Sequence, residues 1–194
     1  MSPRALASIA ALAVGCAHAP APAERARGSA PADFFPLSVG NEWAYRDESP
    51  ALPPERQGSA RVVRILERTR DGYFRDSERG ELRADPDCLH DRSRRLLCAP
   101  FEVGKTWSSV VSVRSTERYE IAGVGETVTV PAGSFAGCVR VRAHNRAAPT
   151  ADQVLEITYA PGVGPVRLET FVVVDGKVTP QIRAVLERYR LRGG

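Results

Sequence analysis

The chain has 194 residues, with 27 Lys and Arg against 23 Asp and Glu, and 43% of its residues are hydrophobic. Three of the basic residues (Arg4, Arg25, Arg27) and one acid (Glu24) precede residue 33. The charge of the remainder is therefore near balance, and Arg alternates with acid along it. A nucleic-acid binder would gather its basic charge on one element, so that class is excluded as a partner.

The first segment reads as a targeting signal. Arg4 is followed by the apolar run Ala5 to Val14, then Gly15 and Cys16. Ten residues are too few for a transmembrane helix, which needs about 20, and a charged start, an apolar stretch and a small residue before a cleavage point mark a secretory signal. A-V-G-C at positions 13 to 16 resembles the lipobox of bacterial lipoproteins, with Ala13 where Leu is commoner. The resemblance implies that residues 1–15 are removed and that Cys16 is the lipidation site, anchoring the chain to the membrane. Ala17, where an Asp would favour inner-membrane retention in that class, points to the outer membrane. An ordinary cleaved signal is the alternative. Residues 16–32 carry seven Ala and three Pro, too little large apolar surface to offset the entropy of ordering, and are expected to be a disordered tether. Residues 33–194 then form one domain, large enough for a real core.

That domain is expected to be all-β: a single curved antiparallel sheet, half-barrel or open barrel of about ten strands. Short runs rich in Val, Ile, Tyr and Thr are separated by Gly, Pro and Asp. Strands are expected near 43–46, 60–69, 73–78, 81–84, 95–99, 107–121, 126–130, 137–144, 154–159, 166–174 and 184–191. Asp71-Gly72 and Asp175-Gly176 suit two-residue hairpins, whose turn positions need positive φ. Ile182, Val185, Leu186 and Tyr189 also fit helical spacing. The strand reading is preferred because it continues the hairpin pairing, with Val185, Tyr189 and Leu191 on one side and Arg188, Arg190 and Arg192 on the other.

An internal echo stands out. P-L-S-V-G-N-E-W (36 to 43) and P-F-E-V-G-K-T-W (100 to 107) repeat Pro, an apolar residue, Val-Gly and Trp at the same spacing. Each copy is expected to be a loop-to-strand corner in which Gly permits a turn and Trp plugs the end of the core. F-P-L-S-V-G-N-E-W-A-Y-R (35 to 46), V-P-A-G-S-F-A-G-C-V-R-V-R (130 to 142) and Y-A-P-G-V-G-P-V-R-L-E (159 to 169) resemble segments of uncharacterised secreted or lipid-anchored bacterial β proteins. The resemblance implies a curved antiparallel sheet or open barrel in the cell envelope and supplies no catalytic residues. The residues also have structural readings. Pro131 ends a strand, Gly133 and Gly137 allow a tight reversal and Phe135 plugs the core. Pro161 and Pro165 stiffen a corner around Gly162 and Gly164.

Candidate chemistry is sparse. Cys88 and Cys98 sit ten residues apart around a polar turn and are expected to form a disulfide in an oxidising compartment. Cys138 reads as a small buried apolar residue. Ser134 in G-S-F-A-G is not a nucleophile elbow, and Gly162 and Gly164 lack the rest of a phosphate loop. Asp85, Asp87, His90 and Asp91 gather metal-ligand types, but the glycine and distant Glu of a calcium loop are missing, and a solvated turn is the simpler reading. No metal, cofactor or catalytic residue is assigned. Two functions fit: a non-enzymatic envelope lipoprotein with a structural or partner-binding role, or a carrier or sensor of an apolar or amphiphilic ligand in a curved-sheet cavity. The interior discriminates them. Large side chains would fill it, whereas small ones, such as Ser109, Val111, Val113 and Ser115 on one strand face, would leave room.

Overall fold

The computed structural model describes residues 30–192 apart from 51, 54, 56, 57, 59 and 114, so Cys16 and the signal lie outside the described residues. A 3-10 turn, Pro31–Phe34, leads into twelve strands: β1 (Glu42–Asp47), β2 (Ala60–Arg68), β3 (Phe74–Asp76), β4 (Glu81–Ala84), β5 (Cys88–His90), β6 (Arg95–Cys98), β7 (Thr106–Ser112), β8 (Ser115–Val130), β9 (Gly133–Ala148), β10 (Ala151–Ala160), β11 (Gly164–Val174) and β12 (Lys177–Arg190). Pro31 and Ala32, assigned by composition to the tether, belong to the 3-10 turn, and Pro31 is buried. All twelve strands lie in one antiparallel sheet in the order β6-β5-β4-β3-β2-β1-β12-β11-β10-β9-β8-β7. Each strand except β6 neighbours the next in sequence and β1 pairs with β12, so the sheet is a nearly closed up-and-down barrel. Its single break falls mid-chain, between β6 and β7.

Side chains bridge that seam where a backbone ladder is missing. Trp107 Nε1 donates to the Arg95 carbonyl at 2.7 Å, the Arg95 amide donates to Ser109 Oγ at 2.9 Å, and Arg95 Nη2 donates to the Ser108 carbonyl at 2.7 Å. Open sheet edges template further pairing, and here the Arg95 amide and carbonyl and the Ser108 carbonyl are occupied from within.

Strand count and boundaries differ from the sequence reading for specific reasons. Residues 107–121 are not one strand. They form the antiparallel hairpin of β7 and β8, at whose turn Val113 is fully exposed (100%) and the sequence holds none of the Gly, Pro, Asn or Asp that usually mark turns. Ser109, Val111, Val113 and Ser115 therefore do not share one strand face. β8 runs on through Gly123 and Gly125 to Val130 by means of register shifts between Ile121 and Val128, which absorb the interruption. β5, only three residues long, escaped the pattern. Asp175-Gly176 is a two-residue hairpin with both φ values positive (48° and 78°), whereas Asp71-Gly72 sits in a wider turn closed by the Thr69 amide on the Tyr73 carbonyl, with only Gly72 at positive φ. In β12 the strand reading holds, but a shift opposite Ala44 and Tyr45 breaks the two-residue alternation. Ala184, Val185 and Leu186 are consecutively buried and Tyr189 is partly exposed.

The repeated segments form matching corners at one end of the barrel. Gly40 and Gly104 have φ of 89° and 88°. The Gly40 amide donates to the Ile65 carbonyl and the Ile65 amide to the Asn41 carbonyl; likewise Gly104 donates to Ile121, and Ile121 to Lys105, all at 2.8 to 2.9 Å. Only a residue tolerant of positive φ makes this turn cheaply, which is why Gly recurs. Both Trp residues then enter the barrel beside a buried Ile. Phe34 meets Phe101 edge-on at 4.8 Å and Phe35 meets Trp43 at 5.0 Å, so the entry turn plugs this end.

The core follows the strand pleat. Val139, Val141 and Ala143 of β9 oppose Tyr159, Ile157 and Leu155 of β10 and face inward. The outer face is covered in part. The distal part of the β8–β9 hairpin folds back over β11 and β12, where the Ala132 amide donates to the Leu186 carbonyl at 3.0 Å and Arg167 Nη2 reaches the Thr129 carbonyl. Beneath it Thr158 and Val185 are 3% and 2% exposed although both point away from the interior. In this hairpin the reversal is at Pro131 and Ala132; Gly137 serves a bend within β9, and Phe135, half-buried, packs against the core cluster and lies 6.1 Å from Tyr189.

Candidate functional site

Cys88 and Cys98 are directly opposed on β5 and β6, with Cα atoms 4.2 Å apart, and are joined by a disulfide. The bridge clips the last hairpin before the seam. Cys138 is a buried free thiol under the β8–β9 hairpin, and burial followed by the nearby Glu126 charge pushes its pKa up to about 11. A thiol held protonated is a poor nucleophile.

The Asp85–Asp91 group is divided among local duties. His90 Nε2 pairs with Asp85 Oδ1 at 2.6 Å. Asp91 Oδ1 accepts from the amides of Ser93 and Arg94 at 2.8 and 2.6 Å and shapes the β5–β6 turn. Among the described residues no three His, Cys, Asp or Glu side chains gather with metal-binding geometry. Ser134 Oγ lies 3.1 Å from Thr129 Oγ1 on the exposed hairpin. Gly162 and Gly164 form the corner above Trp43, whose Nε1 donates to the Val163 carbonyl at 2.7 Å.

The interior bears on the two functions raised by the sequence. Its plugged half holds Trp43, Tyr45, Ile65, Leu89, Leu97, Ile121, Tyr159 and Leu186, all buried. Tyr45 Oη donates to the Pro165 carbonyl at 2.9 Å, so even the polar tip of that aromatic side chain is tied down. At the opposite end, by the β5–β6, β9–β10 and β11–β12 turns, an opening of about 260 Å³ remains between Leu96, Tyr119, Ala143 and Leu155. Tyr119 stacks on Trp107 with centroids 5.5 Å apart and donates its hydroxyl to Glu117, and Arg94 Nε holds the same carboxylate at 3.1 Å. Small-molecule pockets usually exceed roughly 300 Å³, so this opening falls below that range.

The outer face of β8–β10 carries a ladder of ion pairs: Glu120 with Arg142, Arg142 with Glu156, Glu156 with Arg140, and Arg140 with Glu126, at 2.6 to 3.3 Å. Beyond Arg142 the same face holds His144 and Arg118, opposed across β8 and β9. Sequence spacing gave no sign of this ladder, because its partners are brought together by strand register.

No family model and no curated protein matches the chain. Among solved structures, it is similar to a putative lipoprotein from Parabacteroides distasonis ATCC 8503, at 15% identity and a TM-score of 0.47, over 81% of this chain and 98% of that one. It is similar also to a putative exported protein with YmcC-like fold from Bacteroides fragilis NCTC 9343, at 16% identity and a TM-score of 0.47, over 84% of this chain and all of that one.

Proposed function

We propose that this chain is a non-enzymatic lipoprotein of the cell envelope that presents a rigid β domain to a protein partner. Cys16 carries the lipid, the Ala/Pro segment after it serves as a tether, and Ala17 favours the outer membrane. The observation that carries the reading is the filled interior: aromatic and branched side chains meet across the barrel, and the end by which the chain enters is closed by Phe34, Phe35 and Phe101. A domain packed in this way has its surfaces left for recognition. The opening of about 260 Å³ near Tyr119 supports a second reading, a carrier of a small apolar or amphiphilic ligand.

The test uses the chain from Ala17 to Gly194, which contains every described residue. It is incubated with an envelope extract and weighed by native mass spectrometry. The partner-binding reading expects the mass of the bare polypeptide. A discrete added mass that organic solvent removes overturns it in favour of the carrier. Acyl labelling of the full-length chain in cells checks the anchor: the label is expected on the parent and lost in Cys16→Ser, and equal labelling of both would exclude Cys16 as the site.

A further inference from the structure

The repeated corners share one position that folding leaves unexplained. In P-L-S-V-G-N-E-W and P-F-E-V-G-K-T-W the Gly makes the positive-φ turn, the Trp enters the core, and Leu37 and Phe101 pack there too. The Val before each Gly does neither: Val39 is 47% and Val103 68% exposed. Single apolar side chains on a surface are ordinary. Here the same residue is exposed at the same position of two corners at one end of the barrel, where a polar side chain would serve the turn as well.

The chain enters between these corners. Phe34 meets Phe101, two residues before Val103, and Phe35 meets Trp43, four residues after Val39. The Asp33 carbonyl accepts from the Gly162 amide at 2.6 Å, so the entry turn is fixed to the end that carries both valines. Cys16 lies fourteen residues before Ala30, the first described residue, a span of at most about 50 Å. The charges at this end are of both signs. The Arg192 side chain lies over Gly40, Arg68 ends β2 with Arg70 just beyond it, and Asp87 and Glu102 act on Lys105. A partner of one net charge would meet its own sign on part of this end, whereas a zwitterionic headgroup layer offers both.

We infer that this end of the barrel docks on the lipid surface, with Val39 and Val103 entering the headgroup layer on either side of the chain's point of attachment. The inference rests on the lipid-anchor reading above and adds the orientation of the domain. Two valines bury too little area to hold a free protein on a membrane. An anchored domain is different, because a short linker raises the effective concentration of the second contact to about the millimolar range, and apolar side chains at the headgroup boundary then add to the anchor. The opposite end, with Val113 fully exposed at the β7–β8 turn, faces away from the lipid.

The experiment holds the Ala17–Gly194 chain by an N-terminal His tag on nickel-chelating lipid, in phosphatidylcholine vesicles with brominated acyl chains. The tag stands in for the acyl anchor at the neighbouring residue. Val39→Cys, Val103→Cys and Val113→Cys each carry a fluorescent dye; of the native cysteines in this chain, Cys88 and Cys98 are paired and Cys138 is buried. Bromine quenching is expected at positions 39 and 103 and to be at least about threefold weaker at 113. With the dye at position 39, Val103→Asp should cut the quenching at least about twofold; Val103 is exposed, so unchanged melting is the folding control. Uniform or absent quenching, strongest quenching at 113, quenching that requires anionic lipid, or indifference to Val103→Asp overturns the inference. So does a concentration-dependent dimer lost in Val103→Asp in place of quenching, which assigns the corners to a second copy. Because the tag replaces the acyl group, the two readings fail separately: missing acyl label on Cys16 removes the natural anchor, whereas the pattern across the three positions judges the surface.

Discussion

Replacing Trp43 by Phe tests the logic of the plugged barrel end. The Trp43 indole is fully buried, and its N–H donates across the chain to the carbonyl of Val163, just before β11. The phenyl ring keeps the contact with Phe35 but leaves that buried carbonyl without its partner, costing about 1–3 kcal/mol. The smaller ring also leaves a void between Phe35 and Gly164, adding about 1 kcal/mol. The sum, about 2–4 kcal/mol, should lower Tm by roughly 4–16 °C for a domain of this size. The matching change, Trp107→Phe, removes a bond to Arg95 at the seam. There the freed groups lie closer to solvent, so the loss should be about 1–2 kcal/mol, accompanied by faster amide exchange at Arg95 and its β6 neighbours. Thermal melting by circular dichroism reads the first effect and hydrogen exchange the second. Equal Tm losses in the two variants, or a loss below about 2 °C for Trp43→Phe, would refute the view that this indole locks the entry corner to β11.

Three other perturbations probe separate features. Cys88→Ala with Cys98→Ala opens a short loop and should cost about 2–3 kcal/mol in urea unfolding; a reductant should lower the parent to the same midpoint and leave the double variant unmoved. Gly164 has φ of 117°, and a Cβ there would sit 3.1 Å from both the Trp43 indole and the Phe35 ring, whereas one at Gly162 (φ 71°) would meet nothing within 4 Å. Gly164→Ala should therefore unfold at clearly lower urea than Gly162→Ala, and equal midpoints would show that the crowding is unimportant. Asp71 is held at a pKa of about 2, first by the hydrogen bond from Arg92 and then by that from Thr69. Its folded-state pKa lies below the unfolded one, so its contribution is present above about pH 4 and lost as pH falls through about 2. Asp71→Asn should flatten that part of the acid unfolding curve, and a carboxyl titrating near 4 by NMR in the parent would contradict the pairing.

Much of this protein could be read along the chain because the physics is local. The Val-Gly-x-x-Trp corners appear as a repeat because each needs a positive-φ residue just before a strand, and the structure gives both the same hydrogen bonds. Asp175-Gly176 is legible for the same reason, and the all-β class follows from alternation between turn residues. Elsewhere local chemistry was silent. The turn at Val113 lacks a turn residue because an exposed hairpin end can be made by ordinary ones. The bulge in β12 and the bends of β8 are set by what packs against them. Cys88 and Cys98 could be proposed from spacing, but their direct opposition depends on the register of β5 and β6.

The sequence by itself determined the β class, the corner turns and the approximate strand count, since these depend on pleat period and backbone freedom over a few neighbours. Only the tertiary structure decided that β1 meets β12, that the barrel opens at β6 and β7, and which end is filled. Those features join residues up to more than a hundred positions apart, and a strand's own pattern does not record which partner will lie beside it or which of its two faces will be covered.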